Sequence, residues 1–187
     1  MIKKYIYWIR KKYFIPFYSR FRGYYHLDYD KSRILMRVVT KWDIYRLKSC
    51  EKEPETIEWL ENNLKPDDVF FDVGANVGAY SLVASSLIAK KGTVYSFEPA
   101  LNTYIRLCEN IFLNKHVGVI VPLAIALDNE NRIKYISYSE NESGSASHTI
   151  LNETQIKPSQ RQGNAIFCYR LDDFLRIFKI NQPNLIK

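Results

Sequence analysis

No apolar run of about 18 residues without a charge occurs in this 187-residue chain, and a bilayer-spanning helix needs that length. The first residues also lack the apolar block and small-residue cleavage site of a secretory signal, which makes the cytosol the expected compartment. Cysteine is scarce. Cys50, Cys108 and Cys168 are odd in number, far apart, and without a CxxC spacing or a nearby His pair, which argues against a disulfide framework and a zinc site. They read as reduced, mostly buried small hydrophobes. Histidine is limited to His26, His116 and His148, each alone in the sequence and more at home on a surface or loop than in catalysis. Acid is missing altogether from Met1 to Leu27.

That acid-free stretch carries Lys3, Lys4, Arg10, Lys11, Lys12, Arg20 and Arg22, interleaved with Tyr5, Tyr7, Trp8, Tyr13, Phe14, Phe17 and Tyr18. The chain's net charge of +7 is therefore concentrated at its front, and the remainder is close to neutral. Residues 1–25 form a basic aromatic arm, with Ile2, Ile6, Ile9 and Tyr13 at helical spacing until Pro16 interrupts. Three readings of the arm stand: a helix docked on the domain, a peripheral contact with an anionic membrane at the inner surface, and, less favoured, nucleic acid.

Residues 26–187 are expected to form one domain around a single core. The stretch "RILMRVVTKWDIYRL" suggests one or two strands, and "EPETIEWLENNL" an amphipathic helix opened by Pro54. Val69 to Val73 is apolar except for Asp72, the pattern of a strand buried on both faces and so of a parallel sheet. An uncharged helix from Ala79 to Ala89, a strand from Thr93 to Phe97, a helix over Leu101 to Phe112 and a strand from Val117 to Ala126 follow. This alternation predicts a doubly wound α/β sheet. Beyond it, "RIKYISYS" alternates like a half-exposed strand, "ENESGSASHT" and "QIKPSQRQGN" read as loops, and "AIFCYRLDDFLRIFKI" as strand then helix. Asp172 and Asp173 fit the start of that helix better than a catalytic pair.

The loop in "FFDVGANVGAY" sits where such sheets bind ligands, at the carboxyl end of a strand. A phosphate-cradling loop would need Lys and then Ser or Thr after the last glycine, but Gly78 is followed by Ala79 and Tyr80. A dinucleotide fingerprint needs a bare middle position for the pyrophosphate, which Asn76 occupies, and Asp72 has the wrong sign of charge beside phosphates. The ligand should carry a positive group and no phosphate. S-Adenosylmethionine meets that description, with Glu98 at the end of the next strand accepting from the two ribose hydroxyls. A tight strand-to-helix turn and a helix-capping Glu98 are the structural alternatives.

The segments "FDVGANVGAYSL", "GTVYSFEP", "NTYIRLCENIFLN", "SGSAS" and "YRLDDFL" together resemble the FkbM family of S-adenosylmethionine-dependent methyltransferases over roughly residues 50–187. The resemblance implies a Rossmann-like class I methyltransferase fold and methyl transfer to a hydroxyl on a sugar, polysaccharide or polyketide-type product. It places Asp72, Gly74, Asn76 and Gly78 around the methionine moiety, Glu98 on the ribose, and Asp128 near the adenine. His148 is the candidate general base among the histidines. Family members continue past a "LIK" like Leu185–Lys187 into an acidic segment, so the sheet is expected to be incomplete at its carboxyl end, with an unpaired apolar edge on the first strand. A nicotinamide-dependent oxidoreductase and a truncated remnant acting as a basic binding module are the rival functions, and no metal is called for.

Overall fold

A computed structural model describes residues 23–88, 91–138, 144–145, 148–152 and 164–187. Its main sheet has four parallel strands in the order β10 (Leu185–Ile186), β3 (Val69–Val73), β4 (Thr93–Phe97), β5 (Ile120–Leu123). This is the doubly wound half-sheet expected from the strand–helix alternation. Phe70 and Phe71 are adjacent in β3 and both fully buried, because successive side chains point to opposite faces and both faces are covered. Phe70 packs on Trp59 of α3 (Pro54–Asn63), alongside α4 (Ala79–Leu87) and α5 (Leu101–Leu113). Phe71 packs on Tyr95, Phe97 and, through them, Phe174 of α6 (Leu171–Phe178) on the other face. Each of these phenylalanines contributes roughly 1.5–3 kcal/mol of burial.

The expected unpaired edge on β3 is not found. Asn184 N–H donates to Val69 O, Lys187 N–H to Phe71 O and Val73 N–H to Lys187 O, so a strand of only two residues pairs β3 along its whole length. The single strand expected from Val117 to Ala126 is also corrected. It breaks at Ala124 into β5 and β6 (Ile125–Leu127), and β6 leaves for a second sheet of order β6–β9–β7–β8. There β9 is Ala165–Tyr169, β7 Arg132–Ser137 and β8 Thr149–Leu151. Pro122 explains part of this, since a residue without an N–H suits the edge strand that β5 is. Ala126, Ile136, Ile166 and Cys168 of the second sheet bury against Ala100.

The strand reading of "RILMRVVTKWDIYRL" holds only for β2 (Leu35–Val38), which forms an antiparallel hairpin with β1 (Gly23–His26). Lys41–Arg46 is instead helix α1, followed by the short α2 (Ser49–Lys52). The reason is a capping box: Thr40 Oγ1 accepts from Asp43 N–H while Asp43 accepts from Thr40 N–H, and this outweighs the aromatic, β-prone composition. Gly23 to Tyr25, the end of the predicted basic arm, already belong to β1; residues 1–22 lie outside the described part, as does residue 89 at the end of the predicted helix. The "QIKPSQRQGN" loop likewise lies outside it except for Asn164, and "ENESGSASHT" runs into β8.

The hairpin is attached to α5 by amides that imitate a strand edge. Asn114 exchanges hydrogen bonds with Leu35 N–H (2.8 Å) and Leu35 O (2.7 Å), and Asn110 Oδ1 accepts from Arg37 N–H (2.8 Å). Asn110 then donates from Nδ2 to Val77 O (2.8 Å), which ties the hairpin to the glycine loop. Among the described residues no helix is long and apolar enough to cross a membrane.

Candidate functional site

β3 ends at Val73 and the chain turns through residues 74–78 into α4 with three left-handed residues: Gly74 (φ 75°), Asn76 (φ 51°) and Gly78 (φ 90°). Gly78 is required twice over, because a Cβ there would lie 2.5 Å from Leu107 Cδ1 of α5. At Gly74 a Cβ would meet nothing within 4 Å, so its outer face is open to a ligand. Asn tolerates the left-handed region better than other residues with side chains, and Asn76 uses both ends of its amide: Oδ1 accepts from Val77 N–H (2.9 Å) and Nδ2 donates to Ser145 O (3.0 Å).

The loop is fastened to the end of β4. Gly74 and Ala75 both donate N–H to Phe97 O (3.0 and 2.9 Å). Glu98 accepts from Asn76 N–H on Oε2 (3.0 Å) and from Ala100 N–H on Oε1 (2.8 Å), thereby joining the glycine loop to the start of α5. Each oxygen retains a second lone pair, enough for two hydroxyl donors. Glu98 is buried, and desolvation pushes its carboxyl up to about 7, with the two backbone donors and Arg46 opposing and Asp72 adding to the rise. It ties down the helix start, one of the two roles weighed from the sequence, and keeps acceptor capacity besides.

Asp72 is fully buried at the β3 terminus, beside Ser96 in the β3–β4 register. Its Oδ2 accepts from Ser81 Oγ of α4 (2.6 Å), and Ser81 in turn accepts from Ser96 Oγ (2.8 Å). Oδ1 has no hydrogen-bond partner. Burial raises the carboxyl's pKa; Lys187 and the Ser81 hydroxyl and backbone N–H counter it, and Glu53 reinforces it. Lys187 Nζ sits 4.3 Å from the Tyr80 ring centroid, and Tyr80 Oη donates to Ser49 O (3.0 Å).

The predicted loop residues and Glu98 are thus brought together at adjacent strand ends. Asp128 is not joined to them by any described contact: it follows β6, pairs with Lys134 and accepts from Asn129 N–H (2.8 Å), and Lys134 holds its carboxyl below the usual range. His148 lies beside Ser145, with Nε2 3.2 Å from Ser145 Oγ and its ring edge-on to Tyr138 at 5.1 Å. Its Nδ1 is buried without a partner, and burial lowers its pKa, so the ring is neutral near pH 7. His26 accepts from exposed Arg33, and His116 lies in the turn after α5, away from the loop. Asp172 and Asp173 occupy the first turn of α6, where Asp173 binds Asn131 (2.6 Å).

Sequence reasoning missed Ser81, Ser96, Ser145 and Arg46. Arg46 Nε donates to Gly144 O (3.0 Å), which with the Asn76–Ser145 bond holds the 144–145 segment over the glycine loop. The serines carried a readable signal, since two of them fall inside uncharged, largely buried elements.

The residues fit S-adenosylmethionine. Asp72 Oδ1 is an unpartnered buried acceptor at a strand end, Gly74 leaves an open face, and Glu98 has lone pairs to spare. Among relatives, the hexuronic acid methyltransferase AglP of Haloferax volcanii is 32% identical over 89 residues, covering 48% of this chain and 35% of that protein. The chain thus spans about a third of the relative's length. Solved structures resembling it include an S-adenosylmethionine-dependent methyltransferase from Agrobacterium tumefaciens (17% identity, 55% of this chain and 32% of that one, TM-score 0.42). Another is TYW2 of Pyrococcus horikoshii in complex with MeSAdo (21% identity, 52% and 35%, TM-score 0.42). Residues 72–187 match the methyltransferase FkbM domain, beginning at the carboxylate of the glycine loop and running through both sheets. The chain belongs to the FkbM methyltransferase family.

Proposed function

We propose that this chain binds S-adenosylmethionine at the 74–78 loop and Glu98 and supports transfer of its methyl group to a saccharide oxygen. The observation that carries this reading is the pair of buried carboxylates, Asp72 and Glu98, at the ends of adjacent parallel strands. The Asp72 charge beside the loop repels a pyrophosphate and suits an ammonium, while Glu98 suits a ribose diol. The nicotinamide reading is disfavoured by Asp72 and by the side chain of Asn76 at the position a dinucleotide needs bare.

When bound, the cofactor supplies an electrophilic methyl group on a sulfonium. Asp72 Oδ1 is the acceptor for the ligand's ammonium, and the free lone pairs of Glu98 are acceptors for the ribose hydroxyls. Asn76 fixes the loop against the 144–145 segment, which helps to exclude water from the reacting groups. His148, neutral and with Nδ1 unpartnered, is the group able to take a proton from an acceptor hydroxyl. The saccharide class is supported by the AglP relative, whose name specifies a hexuronic acid. The basic and aromatic composition of residues 1–25 suits anionic lipid; liposome binding that is unaltered by deleting 1–25 would exclude that role.

The test is transfer of a labelled methyl group to neutral and uronic-acid saccharides, with wild type and His148→Ala compared. A hydroxyl acceptor predicts a loss of roughly 100-fold or more in kcat for the variant. A carboxylate acceptor is already a nucleophile and would leave the rate unchanged. Absence of label in any saccharide would refute the acceptor class.

A further inference from the structure

We propose that Ser81 and Ser96 are positioning residues, forming a one-way hydroxyl relay that holds Asp72 by Oδ2 and turns Oδ1 toward the cationic end of the ligand. Only the second half of that statement rests on the cofactor reading.

The relay's direction follows from proton bookkeeping. An ionised carboxylate has no proton to give, so Ser81 must donate across the 2.6 Å contact to Asp72 Oδ2. Having spent its proton there, Ser81 can only accept across the 2.8 Å contact, and Ser96 donates. Every hydroxyl proton then has an acceptor. If Asp72 were protonated and donated to Ser81, the chain would reverse, and Ser96 would be left with a buried proton and no acceptor among its described contacts. Since all three side chains are fully buried, that orphan would be costly. The arrangement therefore favours the anion, against the opposing effect of burial.

Position argues the same way. Ser96 is the strand neighbour of Asp72 in the β3–β4 register, and Ser81 descends from the first turn of α4, so the carboxylate is held from two elements that frame the glycine loop. The charged groups that act on Asp72 from the other elements packed around it are Lys187 beyond β10, Glu53 ahead of α3 and Glu98 at the end of β4. None of them bonds to Oδ1. Serine is mostly an exposed residue, yet Ser81 and Ser96 are both fully buried, and the relay gives each hydroxyl proton an acceptor.

The experiment is a carbon-13 carboxyl titration of Asp72 by NMR in the full chain, for wild type, Ser81→Ala, Ser96→Ala and the double variant. Lys187, Glu53 and Glu98 are the same in all four, so their fields cancel. Ser81→Ala is expected to raise the Asp72 midpoint by about one pH unit, the effect of losing one hydrogen bond to the charged form. Ser96→Ala should raise it less, and the double variant should match Ser81→Ala, because Ser96 reaches Asp72 only through Ser81. An unmoved midpoint in Ser81→Ala, or effects that add, would overturn the relay. Should Ser81→Ala fail to fold, Ser81→Cys retains the shape with a weaker donor and must still raise the midpoint. Calorimetry with S-adenosylhomocysteine tests the ligand half: Ser81→Ala should bind roughly tenfold more weakly at pH 7.5, and its pH profile should move with the titration. A shifted titration with unchanged affinity would overturn that half alone. A wild type that does not bind the nucleoside would refute the cofactor reading, and the four titrations would still decide the relay.

Discussion

Lowering the pH from 8 to 6 should weaken S-adenosylhomocysteine binding about tenfold, and the cause is one carboxyl. Glu98 titrates at about 7 because it is buried. In the proposed site it accepts two hydroxyl donors, which the anion does and the acid, with one oxygen turned donor, does poorly. A group with a midpoint near 7 is about nine-tenths ionised at pH 8 and about one-tenth at pH 6, and that ratio corresponds to about 1.4 kcal/mol of binding free energy. Folding stability of the unliganded chain should move the opposite way. The folded pKa lies above the value of about 4.3 for an unfolded Glu, so the folded state holds the proton more tightly. Its stabilising contribution is full below pH 4 and is lost as pH rises to 7, by roughly 3 kcal/mol. Asp72, also raised, contributes with the same sign, whereas His116 and His148, both lowered, act oppositely as pH falls through 6.5. The clean comparison is therefore wild type against Glu98→Gln, by calorimetry for binding and denaturant unfolding for stability. The variant should lose the part of both pH dependences that titrates near 7 with Glu98 and keep the part that belongs to Asp72 and the two histidines. A wild-type affinity that is flat between pH 6 and 8, or that rises on acidification, would refute the assignment of Glu98.

Three further outcomes are expected. Gly78→Ala should destabilise the chain by about 1–3 kcal/mol in denaturant unfolding, because it places a Cβ 2.5 Å from Leu107 at a backbone angle of φ 90°. Asn110→Ala should cost about 1–3 kcal/mol by leaving Val77 O and Arg37 N–H without their partner, and hydrogen exchange should speed up in the β1–β2 hairpin. Asn76→Ala should weaken nucleoside binding several-fold and destabilise the chain by about 1–2 kcal/mol, since it removes the bonds to Ser145 O and from Val77 N–H at a left-handed backbone position while the Asn76 N–H to Glu98 stays in place.

What could be read from the sequence was whatever depends on local pattern. "VFFDV" and "TVYSF" run as buried strands over the predicted residues because both faces of a parallel strand demand apolar side chains. The glycine loop and Glu98 were legible because ligand chemistry restricts which residues can stand at a strand end. The break at Ala124 was not legible, since Ile120–Leu127 is apolar throughout and only the arrival of β9 shows that its second half pairs elsewhere. Lys41–Arg46 was missed because the Thr40–Asp43 capping box is a short polar signal inside a stretch whose bulk looks like strand. Ser145 and Arg46 reach the loop from 69 residues after Asn76 and from 98 residues before Gly144, distances that no periodicity encodes.

Titration calorimetry of the chain with S-adenosylhomocysteine and, separately, with NAD at pH 8 tests the central claim most directly. Asp72 at the loop and the side chain of Asn76 in its middle predict saturable binding of the phosphate-free nucleoside at one site per chain and no heat from NAD. Binding of NAD, or no binding of S-adenosylhomocysteine, would contradict it.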